Sequence, residues 1–296
     1  MGMIDEIAAA FRQGDVIPYL GPGVTGLPGE AAPPSLPEKL VQELTAGATV
    51  PHKIRNNLTA ASQYIENFKH RKTLTCLMAK AFDVDCPPGP FHEWLAAQTQ
   101  LSLVVHAWYD DLVTKAFKSR GDWGLVQGVT QSEHFGDWVN WFHPDGSAVP
   151  TKEFIRDGSG AKAPAEAPEE TLAWRTLVYE PLGAVWPASN FIVSDSDYVE
   201  VLTEIDIQTP IPDSVQTIRK GRSFLFLGCR FTNQLERSFA RQIMKRSSDK
   251  HWAVIEGQLT KNEEKFLREQ NIERIDASLT AFTAALAETS LAAAAE

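Results

Sequence analysis

Short apolar runs alternate with segments of helical spacing along most of this chain, and this alternation constrains the fold more than any other feature. Residues 4–13 and 261–270 illustrate the helical segments, in which apolar side chains recur three and four positions apart. The predicted strands are residues 15–20, 101–106, 177–179, 190–193, 223–227, 252–255 and 272–275. Strands that alternate with helices are typical of a parallel sheet with crossover connections. We therefore predict an α/β fold with a largely parallel sheet flanked by helices.

The alternation stops between residues 119 and 174. Residues 122–131 and 135–142 have extended patterns, and His-Pro-Asp-Gly at 143–146 predicts a turn. Residues 158–170 are rich in Gly, Ala, Pro and Glu, which is typical of a surface loop. We predict one domain over residues 1–296, with residues 119–174 as an irregular insertion. The insertion also contains acidic residues and histidines whose spacing matches no metal site, so no metal is expected there: Glu133, His134, Asp137, His143 and Asp145.

The composition excludes several classes of protein. The chain has 296 residues, a hydrophobic fraction of 43% and a charged fraction of 22%, which is enough to build an ordinary globular core. No apolar run reaches the roughly 20 residues of a membrane span, so we expect no membrane segment. A net charge of -10 makes nucleic acid an unfavourable partner. Three widely spaced cysteines and an N-terminus without a signal-peptide pattern favour a cytoplasmic location.

A glycine-rich loop follows the first predicted strand directly. Gly21, Gly23 and Gly26 fit the pattern G-x-G-x-x-G, in which glycines permit a tight turn and let backbone amides approach a pyrophosphate. Two features weaken the match: Pro22 removes one amide donor, and Glu43, at the spacing of the expected acidic residue, lies in a helical segment. The loop by itself is equally compatible with an ordinary turn between a strand and a helix.

A second glycine follows a buried strand at residues 224–229. Because ligands of doubly wound sheets bind at the carboxyl ends of the strands, two strand-glycine elements in one chain favour nucleotide binding. The loop would hold phosphates through amides at a helix N-terminus. The candidate contacts are the backbone of Gly21, Gly23 and Val24, the side chain of Thr25, and a crevice at Gly228 and Cys229.

Six segments, taken in order, resemble the motifs of one known family. Residues 20–25 resemble its Gly-Ala-Gly-x-Ser signature, and residues 103–112 resemble the strand that leads into its Thr-Thr-Asn-Tyr-Asp motif. Residues 178–185 resemble the segment that carries its His-Gly pair. The neighbouring segments of the family are resembled by residues 90–95, 192–198 and 224–237. The family is the sirtuin superfamily, in particular its bacterial sirtuin-like branch. The resemblance implies a Rossmann-like sheet that binds NAD along its edge. It also implies chemistry that breaks the bond between nicotinamide and ribose.

Both catalytic positions of the family differ in this chain. Tyr109 and Asp110 match the family's Tyr-Asp, which places Trp108 where the family has asparagine. Gly183 matches the glycine of His-Gly, which places Leu182 where the family has its histidine base. The zinc module of protein deacylases is absent as well. The resemblance therefore implies a protein that binds NAD or ADP-ribose with a degraded catalytic centre, in a sensing or scaffolding role, with Trp108 and Leu182 lining the nicotinamide position.

Two alternatives remain open. An active NAD-consuming enzyme, either a hydrolase or an ADP-ribosyl or deacyl transferase, would need a substitute base. The candidate is His106, which shares a strand face with Trp108, or a residue of the insertion. A hydrogen-bonded histidine at a strand end is the simpler interpretation of His106. The third possibility is an interaction protein without a nucleotide. Its partner would contact the tryptophans in and beside the insertion, which are Trp123, Trp138, Trp141 and Trp174. Packing of the insertion onto the sheet is another explanation for these tryptophans.

Overall fold

The computed structural model describes residues 2–132, 137–150, 168–204 and 210–294. Its main strands are β1 (Val16–Leu20), β2 (Leu103–His106), β3 (Trp123–Gly128), β4 (Val139–Phe142), β5 (Thr176–Glu180), β8 (Ser223–Leu227), β9 (His251–Val254) and β10 (Ile272–Ile275), and a separate ribbon contains β6 (Gly183–Ala184) and β7 (Asn190–Phe191). The main strands form one sheet in the order β10-β9-β8-β1-β2-β5-β3-β4. All its pairings are parallel except that of β3 with β4. The predicted α/β class is confirmed.

Helices flank this sheet on both faces. They are α1 (Met3–Gln13), α2 (Pro22–Thr25), α3 (Pro37–Gly47), α4 (Leu58–Lys69), α5 (Arg71–Phe82), α6 (Pro90–Ala96), α7 (Leu112–Phe117), α8 (Asp195–Glu204), α9 (Asp213–Ile218), α10 (Gln234–Ile243), α11 (Lys261–Glu269) and α12 (Leu279–Ala294), and a 3-10 turn spans Glu169–Ala173. No helix among the described residues is both long and apolar enough to cross a membrane.

The helix boundaries follow local sequence chemistry. Gly14 ends α1 in the left-handed conformation, with φ of 76°, which glycine adopts without steric cost. At the start of α11, the Thr260 hydroxyl accepts the Glu263 amide while the Glu263 carboxylate accepts the Thr260 amide. The sequence of residues 58–82 is compatible with one helix or with two. The structure has two helices there, because His70, with a φ of 72°, interrupts the helical path.

Two apolar clusters lie on opposite faces of the sheet. Adjacent residues of a strand point to opposite faces, so Tyr19 packs in one cluster and Leu20 in the other. The same alternation separates Val105 from Val104 in β2. The central strands are buried on both faces, which explains their continuous apolar sequences.

The chain changes direction across the sheet at β1. Strands β2, β5 and β3 lie on one side of β1, and β8, β9 and β10 lie on the other. Leu20 at the end of β1 pairs with His106 of β2 and with Leu227 of β8. The carboxyl ends of these three strands therefore meet at the position where sheets of this class bind their ligands. We call this region the carboxyl edge.

The segment from 119 to 174 contributes two strands to the main sheet. β3 pairs in parallel with β5, and β4 pairs antiparallel with β3. The turn predicted at 143–146 follows β4, and there the Gly146 amide donates to the His143 carbonyl. This membership in the sheet is not evident from the turn-rich sequence. The surface loop expected at 158–170 falls largely outside the described residues.

Candidate functional site

The glycine loop forms the turn between β1 and the short helix α2. The Gly21 amide donates to the Leu227 carbonyl at 2.8 Å, the Gly23 amide to the Gly228 carbonyl at 2.9 Å, and the Val24 amide to the Gly21 carbonyl at 3.1 Å. All three amides predicted to bind phosphate are thus engaged within the protein. A phosphate that used the Gly23 amide would have to replace its bond to Gly228.

The two glycine elements of the sequence lie in direct contact. A Cβ atom on Gly23 would lie 2.8 Å from the Gly228 Cα atom, and one on Gly21 would lie 2.6 Å from the Cys229 sulfur. Gly228 has a φ of 67°, and a Cβ there would lie 2.5 Å from the Val24 nitrogen. These glycines are therefore required for the close packing of the two turns, whether or not a ligand binds.

A buried hydrogen-bond network begins at the last residue of α2. The Thr25 hydroxyl donates to Asp110 Oδ2 at 2.5 Å, and the Leu112 amide donates to Asp110 Oδ1 at 3.0 Å. His106 Nε2 lies 3.3 Å from Asp110 Oδ2, and His106 Nδ1 lies 3.4 Å from Glu180 Oε1. The Thr25 side chain predicted to contact a nucleotide is thus buried and directed toward β2.

The network continues across the carboxyl edge to β3. The Gln127 side-chain amide donates to Glu180 Oε2 at 2.8 Å and to the Trp186 carbonyl at 2.6 Å. Gln127 and Glu180 are paired in the register of β3 and β5, and both are buried. In the sequence, Asp110 is recognised only through its match to the family's Tyr-Asp, and neither Glu180 nor Gln127 is singled out. The feature that could have identified Glu180 and Gln127 is that each is a polar residue at or near the end of an otherwise apolar strand.

The charges in this network are set by burial and by mutual contact. Burial lowers the pKa of His106, but Asp110 and Glu180 outweigh it and raise that pKa to about 10. Burial raises the pKa of Asp110, but the His106 imidazolium holds it well below its usual value. Burial raises the pKa of Glu180. His106 is consequently protonated at neutral pH, and a protonated imidazole cannot accept a proton as a base.

Trp108 and Leu182 lie in one apolar cluster beside the carboxyl edge. Trp108 is only 4% exposed, and its indole nitrogen donates to the Pro34 carbonyl at 2.7 Å. Its ring packs against Tyr109 at 4.9 Å between centroids. Leu182 is 7% exposed, and its carbonyl accepts the Ile192 amide. The structure therefore brings these two side chains into apolar packing, with the indole N–H already bonded.

Comparison with known proteins decides the family. Residues 102–275, more than half of the chain, match the family model for the SIR2-like domain. This chain belongs to the SIR2-like family. A solved structure described as "Structural Basis for the Mechanism and Regulation of Sir2 Enzymes" is similar over 100% of both chains, with 12% sequence identity and a TM-score of 0.47. The search of curated proteins found no match.

Two other ionisable groups of this SIR2-like domain near the carboxyl edge, His92 and Cys229, are neutral at pH 7. The Gly89 amide donates to His92 Nδ1, and burial lowers the pKa of His92 to about 4. Burial, with a contribution from Glu236, raises the pKa of the Cys229 thiol, which stays protonated at neutral pH. Among the described residues, no group of three or more His, Cys, Asp or Glu could hold a metal ion.

The tryptophans between residues 119 and 174 pack mainly inward. Trp123 and Trp141 are almost completely buried, and Trp141 lies 6.5 Å from Trp174 between ring centroids. Trp138 and Trp174 are partly buried against the same core. Glu133 and His134 lie outside the described residues, and Asp145 accepts hydrogen bonds from Ser147. A partner surface formed by these tryptophans stays a prediction.

Proposed function

We propose that this SIR2-like protein binds NAD or ADP-ribose at the carboxyl edge and cleaves NAD poorly or not at all. Family membership supports the ligand class, because sirtuins bind NAD along this edge of their sheet. The position of the glycine turn where β1 and β8 meet also supports it.

One observation carries the proposal of a degraded centre. Trp108 and Leu182 occupy the positions that the family resemblance gives to the catalytic asparagine and histidine, and both are buried in one apolar cluster. Leucine cannot accept a proton, and the single donor of Trp108 is bonded to Pro34. Losing a general base typically costs about 10²–10⁴-fold in rate.

The substitute base considered for an active enzyme is not available at neutral pH. His106 lies at the carboxyl edge, but each of its ring nitrogens faces a carboxylate, from Asp110 and Glu180. An imidazole held in this way carries its proton already. This arrangement favours a binding protein over an NAD hydrolase or transferase.

The filled pocket also bears on which nucleotide binds. Because Trp108 and Leu182 fill the nicotinamide position, we infer that ADP-ribose or an adenine nucleotide binds more tightly than intact NAD. A protein that binds without turnover suits a sensing or scaffolding role in the bacterial sirtuin-like branch. Three free cysteines, at positions 76, 86 and 229, support a reducing, cytoplasmic setting.

A stoichiometric incubation with NAD tests the proposal. Purified protein is mixed with an equal amount of NAD, and the free and bound fractions are separated by chromatography over time. We expect the added NAD to stay intact on the protein, with no growing nicotinamide peak, and ADP-ribose supplied in its place to bind as well. Nicotinamide release at ordinary enzymatic rates would show that the centre is active and that the interpretation of Trp108 and Leu182 is wrong.

An interaction protein without a nucleotide is the second candidate. The engaged amides of Gly21, Gly23 and Val24 favour it, because they give the glycine turns a purely structural role. The same incubation separates the two candidates. Absence of any bound NAD or ADP-ribose at millimolar concentration would favour the interaction protein.

A further inference from the structure

We propose that His106 acts as a buried cation that positions the glycine loop, and that Glu180 is the positioning residue that keeps this cation charged. We call Thr25, Asp110, His106 and Glu180 the clamp. The inference rests on the proposed function, because the loop that the clamp holds is the one expected to bind the nucleotide. It assigns a role to His106 other than that of a base.

Hydrogen-bond geometry supports the assigned charge of His106. Its Nδ1 atom faces Glu180 Oε1 at 3.4 Å and its Nε2 atom faces Asp110 Oδ2 at 3.3 Å. A neutral imidazole has one N–H, so it could donate to only one of these carboxylates, whereas an imidazolium donates to both. All three side chains are at most 2% exposed, so water does not screen the contacts.

Asp110 transmits this arrangement to the loop. Its Oδ2 atom accepts hydrogen bonds from both His106 and Thr25, and its Oδ1 atom accepts the Leu112 amide at the start of α7. Thr25 is the last residue of α2, the helix that contains the glycine turn. The orientation of the turn relative to β2 is thus tied to a carboxylate whose position depends on His106.

The groups around the clamp make the cation necessary. Gln127 of β3 donates a hydrogen bond to Glu180 Oε2 and adds no charge. His92 of α6, whose charge would act on both Asp110 and His106, has a pKa of about 4 and is neutral at pH 7. If His106 lost its proton, Asp110 and Glu180 would be two buried carboxylates without a cation between them. Removing the Glu180 charge would in turn lower the pKa of His106 from about 10, because only Asp110 would then stabilise the imidazolium.

The test combines a spectroscopic reading of His106 with a reading of the loop, both on the full chain. Nitrogen NMR of the imidazole is recorded from pH 6 to pH 10 in the wild type and in Glu180→Gln. Hydrogen exchange of the α2 amides, corrected for intrinsic pH dependence, and affinity for ADP-ribose are measured at pH 7 and pH 9. The matched control is Glu263→Gln, which removes another buried carboxylate; Glu263 lies on α11 and pairs with Arg230.

We expect both nitrogens of His106 to be protonated at pH 8 in the wild type and in Glu263→Gln. In Glu180→Gln the proton should be lost at lower pH, α2 should exchange faster, and ADP-ribose should bind about tenfold more weakly at pH 9, the effect of one lost charge-assisted hydrogen bond. Thr25→Val should weaken binding at both pH values, and Thr25→Ser should restore it, because serine retains the hydroxyl.

Several results would overturn the clamp. A singly protonated His106 at pH 7 in the wild type contradicts the assigned charge directly. Unchanged α2 exchange and unchanged affinity in both Glu180→Gln and Thr25→Val would show that the loop does not depend on the network. If Glu180→Gln does not fold, the wild-type NMR titration and the Thr25 pair decide the question. If the wild-type protein binds no ADP-ribose, the proposed function is refuted. The NMR and hydrogen-exchange measurements would still test the clamp in that case.

Discussion

At the scale of single residues, Trp108 is the side chain on which the proposed ligand preference depends most. It fills space beside the carboxyl edge, and its indole N–H is bonded to the Pro34 carbonyl. It also packs against Phe82, at 6.3 Å between ring centroids. The side chain thus ties the segment after α2 to the core, and in the proposed function it also closes the nicotinamide position.

We expect Trp108→Ala to bind NAD more tightly than the wild type, because the truncation opens the position that nicotinamide would occupy. The same change should lower the free energy of unfolding by about 3–5 kcal/mol, as large-to-small core substitutions do. Calorimetric titration with NAD and urea unfolding measure the two effects. Trp123→Ala is the matched control: Trp123 is fully buried at the start of β3, so its loss should cost stability without raising NAD affinity. Equal NAD affinity in Trp108→Ala and wild type would count against the filled pocket.

The glycines of the loop show how tertiary contact limits a test designed from sequence. A test designed from the sequence alone would replace Gly23 by valine to separate a phosphate-binding loop from a simple turn. A Cβ at this position would lie 2.8 Å from the Gly228 Cα atom, so the substitution forces two backbone segments apart. Loss of nucleotide binding in that variant would therefore follow from either function. The Thr25 pair in the clamp avoids this ambiguity, because valine replaces the Thr25 hydroxyl by a methyl group at nearly unchanged shape, while serine keeps the hydroxyl and removes the methyl group.

At the scale of elements, the sequence predicted the position of most helices and strands but not their partners. The last helix, α12, is an example: its alanine-rich sequence left open what it would pack against. In the structure Phe282 and Leu286 lie in the same apolar cluster as Ile7 and Phe11 of α1. The helix therefore completes the core on one face of the sheet.

We expect Phe282→Ala to lower the free energy of unfolding by about 3–5 kcal/mol, because the ring is almost completely buried between α12 and its neighbours. Urea unfolding measures the loss. The control on the same helix is Glu288→Ala, an exposed position where a change of no more than about 0.5 kcal/mol is expected. Similar stabilities for Phe282→Ala and Glu288→Ala would show that α12 does not contribute to the core.

At the scale of the whole molecule, ligand binding at the carboxyl edge should stabilise the entire sheet. The edge joins β1, β2 and β8, and β1 lies near the middle of the strand order. A ligand that binds the folded state alone, at a hundred times its dissociation constant, raises the free energy of unfolding by about 2.7 kcal/mol. Thermal unfolding should therefore shift upward with ADP-ribose, and less with an equal concentration of NAD. A larger shift with NAD, or none with either nucleotide, would contradict the proposed preference.

The sequence by itself determined the α/β class, the positions of most strands of the main sheet along the chain, and the presence of two glycine elements directly after strands. These features depend on local periodicity and on the general rule that parallel strands end at one edge of the sheet. A single amino-acid sequence is therefore sufficient to predict them. The family motifs likewise lie within short segments. The exchanges predicted at Trp108 and Leu182 depend on neighbouring residues that match the family pattern.

Only the tertiary structure decided which polar groups meet at that edge. His106 and Glu180 are 74 residues apart in the chain, and Gln127 and Glu180 are 53 apart, yet they form one buried row across β2, β5 and β3. Their contact depends on β5 lying between β2 and β3, an order that no local pattern encodes. The physical reason is that burial strengthens electrostatic contacts only after the strands have paired. The charge of His106, and with it the choice between a base and a clamp, is therefore a property of the fold.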